Sequence, residues 1–211
     1  MNFAEELADV LPQDVPHRDN LIAKAAEHLE LIAQVNDHLN LTRITTPTEA
    51  AIKHVLDSVL PWRLFTEATQ IVDAGTGAGF PGIPLALALP EIQFTLSDSI
   101  QKKARFVQSV VEALALPNVK VTAQRAEEIL TTGLITARAV APLSRAIVLF
   151  APALKRGARL LLYKGPDVAT EIADASVEAK KRNVAISVVD RYDLPGNLGT
   201  RTIIELIRRS A

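Results

Sequence analysis

The 211-residue chain contains no cysteine. That excludes a disulfide framework and a thiolate zinc site, and it suits a reducing cytoplasm. Four histidines are scattered without an HExxH pattern, so a metal enzyme is not expected. Aromatic residues make up 4% of the chain, too few for a surface that stacks many bases. No apolar run approaches the roughly 18 residues of a membrane span. The best one, LITARAVAPLSRAIVLFAPAL, is interrupted by Arg138 and Arg145. The acidic N-terminus, MNFAEELADVLP, lacks a secretory-signal pattern.

What the chain does have is apolar residues, 48% of it, against 22% charged. That supports a compact core of single-domain size. The net charge of −1 hides an asymmetry. Residues 1–70 hold 5 Lys/Arg and 11 Asp/Glu, whereas residues 71–211 hold 18 and 13. The larger part is therefore mildly basic, which is compatible with a nucleic-acid partner without requiring one.

Periodicity divides the chain at about residue 68. In residues 19–40, Ile22, Ala25, Ala26, Leu29, Ile32 and Ala33 recur at steps of three and four, marking an amphipathic helix that Asp19 would cap. TTPTEAAIKHVLDSVLPWRLF predicts a second helix between Pro47 and Pro61. Residues 1–68 therefore read as an N-terminal helical extension, and 69–211 as one compact α/β unit. In that unit, strands QIVDAG, IQFTLSD, VKVTAQ, LITARAV and ARLLLYKG alternate with helical segments. Such alternation gives a mostly parallel sheet covered on both faces. Two consecutive strand-like segments, AISVVDRYDL and TRTIIELIRR, close the chain around PGNLG, so the last strand should be antiparallel.

The first strand ends in IVDAGTGAGFPGIPLA. In an open α/β sheet, ligands bind at the carboxyl ends of the strands, and Gly75, Gly77 and Gly79 would let a ligand approach the backbone. A dinucleotide fingerprint needs glycine where Phe80 stands, and Asp73 would repel a pyrophosphate. An acid in front of the loop suits a ligand with an ammonium or sulfonium charge. D-x-G-x-G-x-G resembles the first motif of class I S-adenosylmethionine-dependent methyltransferases, a Rossmann-like fold. The second strand ends at Asp98, which could accept both ribose hydroxyls or cap the next helix. Ala126-Glu127 follows the third strand, where this class contacts the adenine.

The chain also resembles a narrower family, the bacterial small-subunit ribosomal RNA guanine-N7 methyltransferases (RsmG, or glucose-inhibited division protein B). The resemblance runs from about Asn36 to about Gly165. It rests on the extended loop DAGTGAGFPGIPL, on NLTRI, HVLDS, SDSIQKKARF, RAEE and RAVAPL. It implies S-adenosyl-L-methionine as cofactor, held by Asp73, Gly75, Thr76, Gly77, Gly79, Phe80, Asp98, Ala126, Glu127 and Arg138. It also implies methyl transfer to a guanine N7 in the 530 loop of 16S rRNA. The family often has serine before the arginine of the fourth strand, where this chain has Ala137. The expected partner is 16S rRNA or the small ribosomal subunit, met in the cytoplasm by a monomer, with no membrane and no metal.

Guanine N7 has an in-plane lone pair and no proton to lose, so no catalytic base is expected. Arg125, Arg138 and Lys164 fall at strand ends on the ligand edge and are the candidates for contacts with RNA. For Arg138 a functional role, on the cofactor's carboxylate or an RNA phosphate, is favoured over a structural ion pair, because LITARAV is otherwise apolar. Lys102, Lys103 and Arg105 read equally as a solvated helix face, and Lys180-Lys181-Arg182 as cations at a helix end. His54 and Asp57, three apart, are expected to tie the helices to the sheet.

Overall fold

The computed structural model describes residues 2–44 and 46–209. Helices α1 (Phe3–Val10) and α2 (Arg18–Leu39) come first. A composite helix follows: α3 (Pro47–Ala50), a π-helical stretch Ala51–Leu56, and α4 (Asp57–Val59). After a 3-10 turn at Trp62–Phe65, β1 (Gln70–Ala74) opens the α/β unit. Then come α5 (Gly82–Ala88), β2 (Gln93–Ser97), α6 (Gln101–Ala113), β3 (Val119–Thr122) and a 3-10 turn at Ala126–Glu128. The chain continues through β4 (Leu134–Arg138), α7 (Leu143–Leu149), α8 (Ala151–Lys155), β5 (Arg159–Lys164) and α9 (Val168–Arg182). Strands β6 (Val184–Asp193) and β7 (Thr200–Arg208) complete it.

The seven strands lie in the order β3-β2-β1-β4-β5-β7-β6. Pairs among β1 to β5 are parallel, while β7 runs antiparallel to both β5 and β6. Order reverses between β1 and β4, which opens a crevice at their carboxyl ends. In β5, Leu160 and Leu162 face one side, and Leu161 and Tyr163 the other, all four buried. A strand covered on both faces reads as a continuous apolar run for that reason.

Each face has its own core. The N-terminal helices, α5 and α6 cover one, with Phe94, Leu161 and Ile203 reaching into it from the sheet. Helices α7, α8 and α9 cover the other, over Ile135, Leu160 and Ile204. On α6, Phe106, Val107, Val110 and Val111 form a buried stripe that Leu114 extends past the helix end.

Two local expectations are corrected. Helix α2 begins at Arg18 behind His17, so Asp19 lies in its first turn rather than at its cap. Its inward face takes His28 in place of Ala33, because apolar periodicity passes over a polar residue that packing can bury. SRAIVLFAPAL is two helices, broken at Phe150, because Pro152 has no N–H to continue the ladder.

Candidate active site

The loop after β1 is fastened to the end of β2 by backbone bonds. Gly75 N and Thr76 N both donate to the Ser97 carbonyl, at 2.8 and 3.0 Å. Gly77 N donates to Asp98 Oδ2 at 3.0 Å, while Asp98 Oδ1 accepts from Ile100 N at 2.8 Å. Asp98 therefore holds the loop and the entry to α6 together, and each oxygen keeps a further lone pair.

The glycines of the loop differ in what they make room for. A Cβ on Gly77 would meet only the Gly75 carbonyl at 4.0 Å, so the backbone there faces open space at φ +63°. A Cβ on Gly79 would lie 2.5 Å from Ile83 Cδ1 and 3.1 Å from His28 Cε1. Gly79 is thus required by helix packing, whereas at Gly77 only the left-handed backbone calls for glycine and the space beside it is open. Gly75 sits beneath Val140, in the loop after β4.

Asp73 is corrected. Its carboxylate is fully buried, and Oδ2 accepts from Thr76 Oγ1 at 2.6 Å and from Gly82 N at 2.8 Å. Burial raises its pKa to about 6, against the lowering effect of those two donors. It braces the loop from behind instead of facing a cationic ligand, and Thr76, also buried, belongs to the same brace.

The Phe80 side chain is corrected too. Its ring lies between His28 of α2 and His54 of the π-helical stretch, at centroid distances of 4.7 and 4.6 Å. His28 Nε2 bonds the Ala78 carbonyl at 2.7 Å, and His54 Nε2 bonds Thr42 Oγ1 at 2.9 Å. Burial holds the pKa of His28 down to about 4 and that of His54 to about 3. Neutral rings stacked on Phe80 therefore clamp the loop from the N-terminal side. The space of about 140 Å³ that His54 also lines, with Phe3, Leu29 and Asn36, includes no residue of the glycine loop.

Arg138 does not reach out toward RNA. Its Nη1 donates to the Lys53 carbonyl at 2.9 Å and lies 3.2 Å from Asp57 Oδ2. Asp57 is fully buried, and Arg201 meets it through both carboxylate oxygens at 2.9 Å. The Tyr192 hydroxyl adds a bond to Oδ1 at 3.1 Å. One carboxylate from the helical extension thus joins β4, β6 and β7; the tie expected of the His54–Asp57 pair falls to Asp57 alone, since His54 bonds Thr42 inside the extension. Helical π turns leave backbone carbonyls for outside donors, and Lys53 supplies one here.

Lys164 is likewise occupied, donating to the Ala141 carbonyl at 2.7 Å and pairing with Glu171 at 2.7 Å. Its assignment to RNA is corrected for that reason. Arg125 is exposed at the start of the 3-10 turn that carries Ala126, half-buried, and Glu127, exposed.

Sequence reasoning missed His28, Tyr192 and Arg201. His28 carried a weak signal, lying one residue before Leu29 on the apolar stripe of α2. Arg201 and Tyr192 had none, since only the antiparallel return of β7 brings them to Asp57. Among the described residues no group of acids and histidines is arranged to hold a metal, and no helix is long and apolar enough to cross a membrane.

A parallel sheet with a reversed final strand, and a glycine loop at β1 fastened to an acid after β2, defines a class I S-adenosylmethionine-dependent methyltransferase. Solved structures share the fold. A magnesium protoporphyrin IX methyltransferase from Synechocystis PCC 6803 with bound SAM aligns at TM-score 0.60 and 18% identity, covering 86% of this chain and 97% of that one. Cofactor-bound Rv0187 from MTB aligns at 0.61 and 15% identity, over 90% and 91%. The chain belongs to the GidB family, described as rRNA small subunit methyltransferase G, whose model matches residues 21–194. A ribosomal RNA small subunit methyltransferase G from Solibacter usitatus (strain Ellin6076) is 62% identical over 209 residues, 98% of this chain and 100% of that protein. One from Carboxydothermus hydrogenoformans is 38% identical, over 84% of this chain and 79% of that protein.

Proposed function

We propose that the protein transfers the methyl group of S-adenosyl-L-methionine to N7 of a guanine in the 530 loop of 16S rRNA, acting in the cytoplasm as a monomer. The observation that carries the cofactor side is the open space at Gly77, bounded by the Asp98 carboxylate. The substrate side rests on family membership and on relatives named for the small-subunit rRNA.

When bound, the cofactor supplies an electrophilic methyl group on a sulfonium. Backbone at Gly75 and Gly77 would lie against it, the free lone pairs of Asp98 would accept its ribose hydroxyls, and Ala126-Glu127 would flank its adenine. Asp73, Phe80 and His28 act one step back by fixing the loop, and Arg138 by tying β4 to the helical extension. Guanine N7 uses its lone pair to form the N–C bond, and the S–C bonding pair stays on sulfur. No proton moves, so alignment and proximity are the chain's contribution. N7 in a paired A-form helix lies in a deep groove closed to side chains, which favours an unpaired target.

The test is incubation with labelled cofactor and undermethylated 16S rRNA, naked and as small subunits, followed by cleavage mapping at 7-methylguanosine. Label at one guanine in the 530 loop supports the proposal. Label elsewhere, or none in either substrate, overturns it.

A further inference from the structure

At the end of the sheet away from the glycine loop, cations converge from three segments. Lys155 ends α8 and Arg156 follows it, Lys180 and Lys181 lie in the last turn of α9, and Arg208 ends β7 with Arg209 after it. All six are exposed. Lys155, Lys181 and Arg208 line one concavity of about 250 Å³, and Lys180 and Arg209 line a second of about 300 Å³. Asn183, in left-handed backbone after α9, lies between the two and lines both.

Lys181 shares Glu178 with Arg182, at 3.9 and 3.0 Å. The other five have no carboxylate within ion-pair distance among the described residues. The helix dipole accounts for cations that end α8 and α9. It does not account for Arg208 and Arg209, at the end of a strand. Like charges brought together cost free energy unless an anion joins them, and the chain as a whole is slightly acidic. Unpaired cations at several points along adjoining concavities match a polyanion with regularly spaced charges.

We infer that this end of the sheet, built from the ends of α8, α9 and β7, is a second contact for the phosphate backbone of the RNA substrate. It rests on the proposed function. Methyl transfer stays beside the glycine loop, and this surface adds affinity and orientation without reading sequence. The strands between the two ends are about 20 Å long at roughly 3.3 Å per residue, so a folded RNA presenting its loop to one end would run along the side of the molecule to the other.

The test is the triple variant Lys155→Ala/Arg208→Ala/Arg209→Ala, assayed for methylation of undermethylated 16S rRNA and small subunits across a salt series. Expected are a fall of about tenfold in kcat/KM at low salt and a salt slope shallower by about 2, at ~0.7 per lost phosphate contact. Cofactor affinity by calorimetry should be unchanged, and the matching lysine variant Arg208→Lys/Arg209→Lys should keep both the rate and the slope. Unchanged kcat/KM and slope in the triple variant would overturn the inference, as would a lysine variant as defective as the alanine one. If the wild-type protein labels neither substrate, the proposed function falls instead.

Discussion

The two ends of the sheet treat charge in opposite ways. At the carboxyl ends of the parallel strands, Arg138, Arg201 and Lys164 are turned inward onto Asp57, Glu171 and backbone carbonyls. At the other end, Lys155, Lys180, Arg208 and Arg209 project into solvent. The reacting end therefore uses its charged groups to fix a backbone shape, and what it offers a ligand is mostly main chain and open space. A pocket that must hold a cofactor within fractions of an ångström benefits from groups locked by their neighbours, whereas phosphate contacts tolerate long, mobile side chains.

Asp57→Ala tests that contrast with the largest effect. It leaves Arg138 and Arg201 partly buried beside no carboxylate, and removing one partner of such a network costs about 3–5 kcal/mol. Denaturant unfolding should show that loss, while Arg208→Ala at the other end should stay within about 0.5 kcal/mol. Equal losses at both ends would erase the distinction.

Gly77→Val separates shape from stability. The new side chain enters open space, so packing survives. The cost to the fold is the strain of a β-branched residue at φ +63°, about 1–2 kcal/mol. Cofactor affinity should drop by about 100-fold or more, equivalent to about 2.7 kcal/mol. Gly79→Ala should do the reverse, destabilising the fold through Ile83 and His28. Calorimetry beside thermal unfolding reads both, and tight cofactor binding by Gly77→Val would remove the cradle assignment.

The alternation of strands and helices and the glycine loop were legible because short-range patterns encode them: period-2 and period-3.6 apolar spacing, and glycines that follow an acid. Asp98 was legible for the same reason, since it ends the strand beside the loop. The partners of Asp57 were not. Arg138 lies 81 positions from it and Arg201 144, so only the tertiary fold joins them. The misreadings of Arg138 and Lys164 share one cause. A cation at a strand end looks free in the sequence, and the acid that captures it comes from a distant element. Phe80 was misread because its ring turns away from the cleft while its backbone stays in the loop.

The smallest effect concerns pH and the clamp around Phe80. His28 and His54 have folded pKa values of about 4 and about 3, below the 6.5 of an exposed imidazole. Groups depressed in the fold contribute stability that is full above pH 6.5 and is lost as pH falls toward the folded values. Asp73 works the other way. Its folded value of about 6 lies above 3.8, so its contribution is present at low pH and lost as pH rises through 6. Between pH 7.5 and 6.0 the two histidines therefore cost stability and Asp73 returns part of it, a net loss of about 1 kcal/mol. Denaturant unfolding at the two pH values should show this loss in the wild-type protein. His54→Phe keeps a ring against Phe80 and removes one titrating group, so the pH effect should shrink by about half or more. Lys155 lies at the far end of the sheet, away from the clamp, so Lys155→Ala should leave the effect unchanged. A His54→Phe variant with the full wild-type pH dependence would place the titration elsewhere and detach it from the clamp.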